Sequence, residues 1–379
     1  MKKILNIILV SCFSLTIISC GIFTEEESST TTAAVDTSAP TSSVTTATIT
    51  TSENAVVQST ETGTAYLVNT AVTVSNLASI TGAADNQSNS VTISSAATNT
   101  NLPATGLADG TYKVYAVDAA GNLSSASSNS VTLLIDYALD FDGTNDSVSA
   151  NGVAVTLNNS DNTSSLPLSV SAWVYPDNGT KDQNIFGLYK NSVFINGPSV
   201  WFGDNDSHFN YYDKINTSSI FSSTTYAINN WHHVVLTIGS DRDGVLYVNG
   251  SPALTFSGAY NSGSLDMFSF AVDYDNSGGS AGNLAQYFDG KIDEVAVWNV
   301  ALNAADATAL YNSGNGLKAS ADSGNYDNSG DLVGYWKFNE GTGSTLTDNT
   351  SNSNNGTLTN MDNSSDWVTS GSETKPSFQ

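Results

Sequence analysis

From about residue 55 onward, apolar side chains recur at every second position over short runs. That is the period of a half-buried strand. In Thr111-Tyr112-Lys113-Val114-Tyr115-Ala116-Val117, Tyr112, Val114 and Ala116 share one face, and Thr111, Lys113 and Tyr115 share the other. Residues 65–68, 71–74, 90–93 and 130–134 are further short β-branched runs. Turn signals such as Asp109-Gly110 and Ala120-Gly121-Asn122 separate them. This rhythm predicts a small β-sandwich over 55–136. From 137 to 370 the strands lengthen: 168–176, 231–237, 244–248 running into Asn249-Gly250, and 288–298. An Asn-Gly pair after an alternating run is a strong hairpin signal. Asn303, with Asp306 three residues on, reads as a helix N-cap. The pattern predicts an all-β chain, a small sandwich followed by a region of longer strands, with one short helix after Asn303 and a tail over 371–379.

The first fifty or so residues break the rhythm. Lys2 and Lys3 precede an apolar run, Ile4 to Phe13, and the segment closes on Leu15-Thr16-Ile17-Ile18-Ser19-Cys20. A basic start, an apolar stretch and small residues before a cut describe a signal peptide, here over 1–19. The run is shorter than the roughly 20 residues that a membrane-spanning helix needs. Ile17, Ile18, Ser19 and Cys20 resemble the lipobox of bacterial lipoproteins. That resemblance implies cleavage before Cys20 and a diacylglycerol on its thiol. Gly21 stands where an Asp retains some lipoproteins in the inner membrane, so the expected location is the cell envelope, at the outer membrane or cell surface. An ordinary signal peptide is the alternative. Residues 20–54 are rich in Ser, Thr and Ala, without apolar periodicity, and are expected to be a disordered linker. A flexible coil of this length spans roughly 30 to 35 Å.

Two further resemblances lie downstream. Residues 107–123 resemble the end of immunoglobulin-like repeats of bacterial surface proteins, which implies that 55–136 is a small immunoglobulin-like β-sandwich. Residues 138–148, Ala138-Leu139-Asp140-Phe141-Asp142-Gly143 onward, resemble the opening strand of a LamG-like jelly roll, of the concanavalin A-like lectin and glucanase superfamily. Leu168 to Pro176, Trp231-His232-His233-Val234, Gly244 to Gly250 and Gly290-Lys291-Ile292-Asp293-Glu294-Val295 follow in that family's order. The implied fold of 137–370 is a larger concanavalin A-like jelly-roll sandwich with one short helix, at 299–311, which resembles that family's short helix. The Gly334-to-Leu358 segment departs from the family, where such a stretch opens the domain. It either completes the same sandwich or begins a truncated repeat, and completion is expected because two strands alone could not bury Trp336 and Phe338.

Charge narrows the partners. There are 36 Asp and Glu against 11 Lys and Arg, a net charge of −25. No basic face is available for nucleic acid or for anionic headgroups, so membrane contact is expected through the lipid only. Of two cysteines, Cys12 lies inside the signal, which leaves no disulfide and no cysteine-ligated metal. The abundance of Asp suits either solvated loops or calcium, which takes several oxygen ligands. Asp273-Tyr274-Asp275, before paired glycines, resembles the calcium loop of pentraxins, with the Tyr274 carbonyl between two carboxylates. Asp293 with Asp348, Asn352 and Glu340 is a second candidate calcium site, since the 348–356 loop resembles calcium loops of LamG-like modules; a polar turn is the alternative at both. The run from Trp201 to Tyr212 interleaves aromatics with Asp and Asn, the division of labour of a sugar site. Trp201, Phe209, Tyr211 and Tyr212 are its candidate ligand-binding residues, with a half-buried strand pair as the alternative. His232 and His233 read as structural.

No Glu-x-Asp-x-x-Glu strand, Gly-x-Ser-x-Gly or His-Glu-x-x-His string occurs, so nothing points to catalysis. The expected function is a lipid-anchored surface protein whose jelly roll binds a carbohydrate or glycoprotein, with Ca²⁺ assisting. A non-catalytic adhesive protein is the second reading, and a glycoside hydrolase the third.

Overall fold

The structure is a computed structural model. It describes residues 35–369 except 52, 159–164, 191–194, 204–206, 214–218, 261–264 and 276–282. Cys20 and the signal segment lie outside the described residues. Among the described residues, no helix is long and apolar enough to cross a membrane.

Residues 42–134 form a small module of two sheets. One has three strands, in the order Ser42–Val44, Asn54–Ser59, Thr100–Pro103. The other has five: Ala47–Thr50, Val131–Leu134, Gly110–Asp118, Gly63–Asn69, Ser88–Ile93. Val57, Leu67, Leu102, Tyr112, Val114 and Val131 meet in its core. The alternation in the 110–118 strand puts Tyr112, Val114 and Ala116 inside, as the period of two requires. The linker boundary is corrected. Ser42–Val44 and Ala47–Thr50 fall within 20–54, yet both are strands. Their Ser and Thr side chains gave no apolar signal. The Ser42 hydroxyl is nonetheless buried and donates to the Val114 carbonyl at 2.8 Å.

Residues 137–369 form a two-sheet sandwich with eight strands on each side. In one sheet the order is Ser251–Phe256, Gly244–Val248, His232–Ile238, Leu168–Pro176, Asp289–Trp298, Tyr137–Asp142 and Trp367–Thr369, with Leu332–Trp336 also paired to 289–298. In the other it is Ile220–Phe221, His208–Tyr212, Ile195–Gly203, Gln183–Lys190, Met267–Phe270, Ser147–Ser149, Gly356–Thr359 and Thr345–Leu346. Between them Phe186, Phe202, Phe268, Phe270, Trp336 and Phe338 form one core. The 334–358 segment therefore adds strands to both sheets, and Trp336 packs on Phe268 and Phe270 at 5.9 and 5.4 Å.

The helix Ala304–Tyr311 begins at Asn303, with the reciprocal capping bonds that Asn303 and Asp306 suggest. It covers the outer face of the first sheet, where Leu310 joins Trp298, Tyr326 and Tyr335. The jelly roll also has a second helix, Asn151–Leu157, which the strand-dominated pattern did not suggest.

Candidate functional site

The strands Ile195–Gly203 and His208–Tyr212 pair with Trp201 opposite Asn210 and Ser199 opposite Tyr212. Opposed residues share a face. Val200, Phe202, Phe209 and Tyr211 therefore point into the inter-sheet core, and Ser199, Trp201, Asn210 and Tyr212 point away from it. The next strand adds Asn184, directly opposite Trp201, to the outer row.

Two candidate ligand-binding residues are corrected by this parity. Phe209 and Tyr211 are both fully buried. Phe209 packs on Phe202 at 4.9 Å and on Tyr226 at 5.0 Å. Tyr211 stacks on Phe256 at 3.7 Å, and its hydroxyl donates to Asp213 at 2.5 Å. Burial and the Asp213 charge hold the Tyr211 phenol far above the usual tyrosine range. Neither ring can meet a ligand.

Trp201 and Tyr212 lie on the other face and line a cavity of about 180 Å³ with Asp182, Asn210, Ser219, Asp273 and Gln286. The two rings meet edge to face at 6.4 Å. The Trp201 indole N–H donates to the Ser199 hydroxyl at 2.8 Å, and that hydroxyl donates to the Tyr212 carbonyl at 2.8 Å. These bonds fix the Trp201 ring rather than leaving it to solvent.

Asp273 reaches the cavity from a short hairpin, Asp273–Asp275 paired with Asn283–Ala285. Its side chain is buried beside the Tyr189 phenol, which desolvation first and then the Asp273 charge push well above its ordinary range. Gly187 makes room for this arrangement, since a Cβ there would sit 2.2 Å from the Tyr189 hydroxyl. The Tyr274 ring packs on Tyr189 at 5.4 Å. The Asp275 side chain lies outside what is described. The cavity thus joins an aromatic wall with two carboxylates and two amides, all hard oxygen donors suited to hydroxyls or to calcium.

The second candidate calcium set does not assemble. Asp293 is fully buried opposite Trp173, in a strand that bulges at Glu294, where φ is +49°. Its Oδ1 accepts the Glu294 N–H at 2.8 Å, so it stabilises the bulge. Asp348 closes its own loop. It accepts from the N–H groups of Tyr335 (3.0 Å), Thr350 (2.9 Å) and Asn354 (2.7 Å) and from the Thr350 hydroxyl (2.8 Å). Among the described residues, neither belongs to a group of three or more acidic or His side chains with ligand atoms within 4.8 Å of one another.

His232 and His233 are both buried, and burial holds both below the ordinary His range. His233 is pushed down to about 3, packs on Trp173 at 4.9 Å, and has Nε2 2.8 Å from the Ser171 hydroxyl.

Asp182, Asn210, Ser219 and Gln286 were not singled out from the sequence. Asn210 carried a usable signal, since it shares parity with Tyr212. Asp182 and Gln286 come from distant segments that only the fold brings together. A larger cavity, of about 380 Å³, opens where the two modules meet, lined by Glu53, Asp136, Glu294, Lys318, Lys337 and Glu340 among others. Of the residues considered from the sequence, Glu340 lines it.

Residues 142–308 match the Laminin_G_3 family model, described as the concanavalin A-like lectin/glucanases superfamily. Similar solved structures include a candidate carbohydrate-binding protein from Bacteroides ovatus, at 15% identity and a TM-score of 0.44, covering 88% of this chain and 95% of that one. A native heptameric SAP-like pentraxin from Limulus polyphemus has 16% identity and a TM-score of 0.37, covering 52% of this chain and 91% of that one. Domain 4 of AbnA, a GH43 extracellular arabinanase from Geobacillus stearothermophilus, in complex with arabinotriose, has 17% identity and a TM-score of 0.30, covering 38% and 65%. No curated protein matches the sequence.

Proposed function

We propose that the concanavalin A-like domain binds carbohydrate in the cavity walled by Trp201 and Tyr212. The observation that carries this reading is the chemistry of the lining: two aromatic rings beside Asp182, Asn210, Asp273 and Gln286. Aromatic faces cover the apolar face of a sugar ring, and carboxylates and amides accept or exchange its hydroxyl hydrogen bonds. The volume suits a single sugar unit rather than an extended chain. We also propose that the domain is displayed from the cell envelope by a lipid on Cys20, with the small module as spacer. Calcium fits the same cavity, because Asp182 and Asp273 offer carboxylate oxygens and Asn210 and Gln286 amide oxygens. Asp273 would be its principal ligand.

A glycan array run with calcium and with chelator tests the reading. Retention on at least one glycan, lost on Tyr212→Ala with the melting midpoint little changed, is the expected result. No retention in either buffer would remove the sugar site. Saturating calcium raises the midpoint if the ion binds the native state, by RT ln(1 + [L]/Kd). An unchanged midpoint, or a rise that survives Asp273→Asn, removes the metal from this cavity.

A further inference from the structure

We propose that Asp142, Asp146 and Asp366, which meet where the opening strand of the jelly roll pairs with its terminal strand, form a latch that acid tightens and a rise in pH loosens. Asp142 closes the strand Tyr137–Asp142, Asp146 follows in the turn behind it, and Asp366 directly precedes the strand Trp367–Thr369. Asp146 is 4% exposed. Its Oδ2 accepts the Asp142 N–H at 3.1 Å, and its carboxyl shares a hydrogen bond with the Asp142 carboxyl. Two ionised carboxylates have no proton to donate, so that bond needs one of the pair to be protonated. Burial first, and then the Asp142 and Asp366 charges, raise the Asp146 carboxyl to about 6 from an ordinary 3.8. Asp289 stands opposite Asp142 in the next strand, and Asp362 shares the turn of Asp366, where it accepts the N–H groups of Ser364 and Ser365. Lys291 stands opposite Asp140 and is turned toward Asp177, 3.6 Å away. The strand 147–149 that follows Asp146, and its partners 267–270 and 356–359, carry no titratable side chain.

The terminal strand is the element that can respond. Among the described residues it is the last of its sheet, and it pairs with 137–139 alone. The Asp140 N–H donates to the Asp366 carbonyl at 2.8 Å, and the Trp367 indole N–H to the Gly343 carbonyl at 3.2 Å. The Trp367 ring meets Tyr137 edge to face at 6.5 Å. The Asn360 amide donates to the Asn145 carbonyl at 3.0 Å and so ties the two turns together. An edge strand of three residues opens at less cost than the central strands of the core. On opening, Asp366 leaves and water reaches Asp146, so its carboxyl returns toward the ordinary range. The open form then gives up the proton at a lower pH than the closed form does. The stabilisation of the seam is therefore complete below about pH 4 and is lost as pH rises through about 6.

Amide hydrogen exchange on the full chain at pH 5 and pH 8, corrected for the intrinsic exchange rate, tests the latch. Protection in 137–140 and 367–369 should fall from pH 5 to pH 8 by at least about threefold and at most about a hundredfold, the limit that a shift of about two pH units sets. Protection in the central strand 168–176 should change less. Asp146→Asn keeps an oxygen for the Asp142 N–H but carries no charge. It should flatten the response and hold the seam at pH 8 as tightly as the wild type holds it at pH 5. Its melting midpoint should exceed that of the wild type at pH 8 and match it at pH 5. Should Asp146→Asn fold poorly, Asp366→Asn removes one of the two charges from the partly exposed side and should shrink the response. Equal protection of the seam at both pH values in the wild type overturns the proposal. So does a response as large as that of the wild type in every variant that folds.

Discussion

At the scale of the residue, one step of parity separates core from ligand wall. Tyr211 and Tyr212 are adjacent and chemically alike, yet Tyr211 is sealed against Phe256 and Tyr212 opens on the cavity. The consequence is measurable. Phe209→Ala should cost about 3 to 5 kcal/mol of unfolding free energy, because it leaves a void in a packed core. Tyr212→Ala should cost about 1 kcal/mol or less, within the range of surface substitutions away from special features. Denaturant melts of the two variants decide this, and similar costs would mean that the outer face is also core. The sequence showed the aromatic run and its alternation. It did not show which parity faced inward, because both faces of this strand pair carry aromatics.

His233 gives a second residue-scale prediction. Its native pKa is pushed down to about 3 by burial, against an ordinary value of about 6.5. Between those values the unfolded chain takes up a proton that the native state refuses. Stability from this group is therefore fully present above about pH 6.5 and is lost as pH falls toward 3. The wild-type protein should lose more unfolding free energy between pH 7 and pH 4 than His233→Leu does. An equal loss in both would take His233 out of the acid response.

At the scale of the element, local chemistry was the most legible. Asn303 accepts from Ala305 N–H at 2.7 Å and Asp306 N–H at 3.2 Å, and Asp306 accepts from the Asn303 N–H at 2.8 Å. Asn303→Ala should destabilise the protein by about 1 kcal/mol. A thermal melt unaffected by the change would show that packing under Leu310 alone holds the helix. The Asp348 loop was legible as a turn-rich string but ambiguous between metal and hydrogen bonds. The same oxygens serve either use, and only their donors distinguish them. Asp293, grouped with Asp348 from the sequence, serves the fold at a bulge, where its Oδ1 accepts the Glu294 N–H.

At the scale of the whole molecule, a charge pair crosses between the two modules. The Lys318 ammonium pairs with Glu53, whose side chain is 8% exposed and also accepts the Thr50 N–H at 2.6 Å. Lys318→Ala leaves that carboxylate buried without its cation, at a cost of about 1 to 3 kcal/mol. Hydrogen exchange should then quicken in the 47–50 strand and its partner 131–134 more than in the jelly-roll core. Uniform exchange across both modules would show that the pair does not tie the joint. In a chain of net charge −25, each lysine at such a joint has many carboxylates to choose from. Nothing in the sequence singled out the Glu53–Lys318 pair, 265 residues apart.

The sequence by itself determined the strand-based architecture, the order of the jelly-roll strands, the Asn303 cap and the acidic, lysine-poor character of the surface. The strands, the cap and the surface follow from period-two patterning, turn chemistry and composition, which act over a few residues, and the strand order follows from the family resemblance of the motifs. The tertiary structure alone decided which face of the 195–212 strand pair is core and where the small module begins. It also decided that Asp182, Asp273 and Gln286 meet Trp201. Those outcomes depend on packing one sheet against another and on loops that converge from more than a hundred residues of chain, which no local pattern encodes.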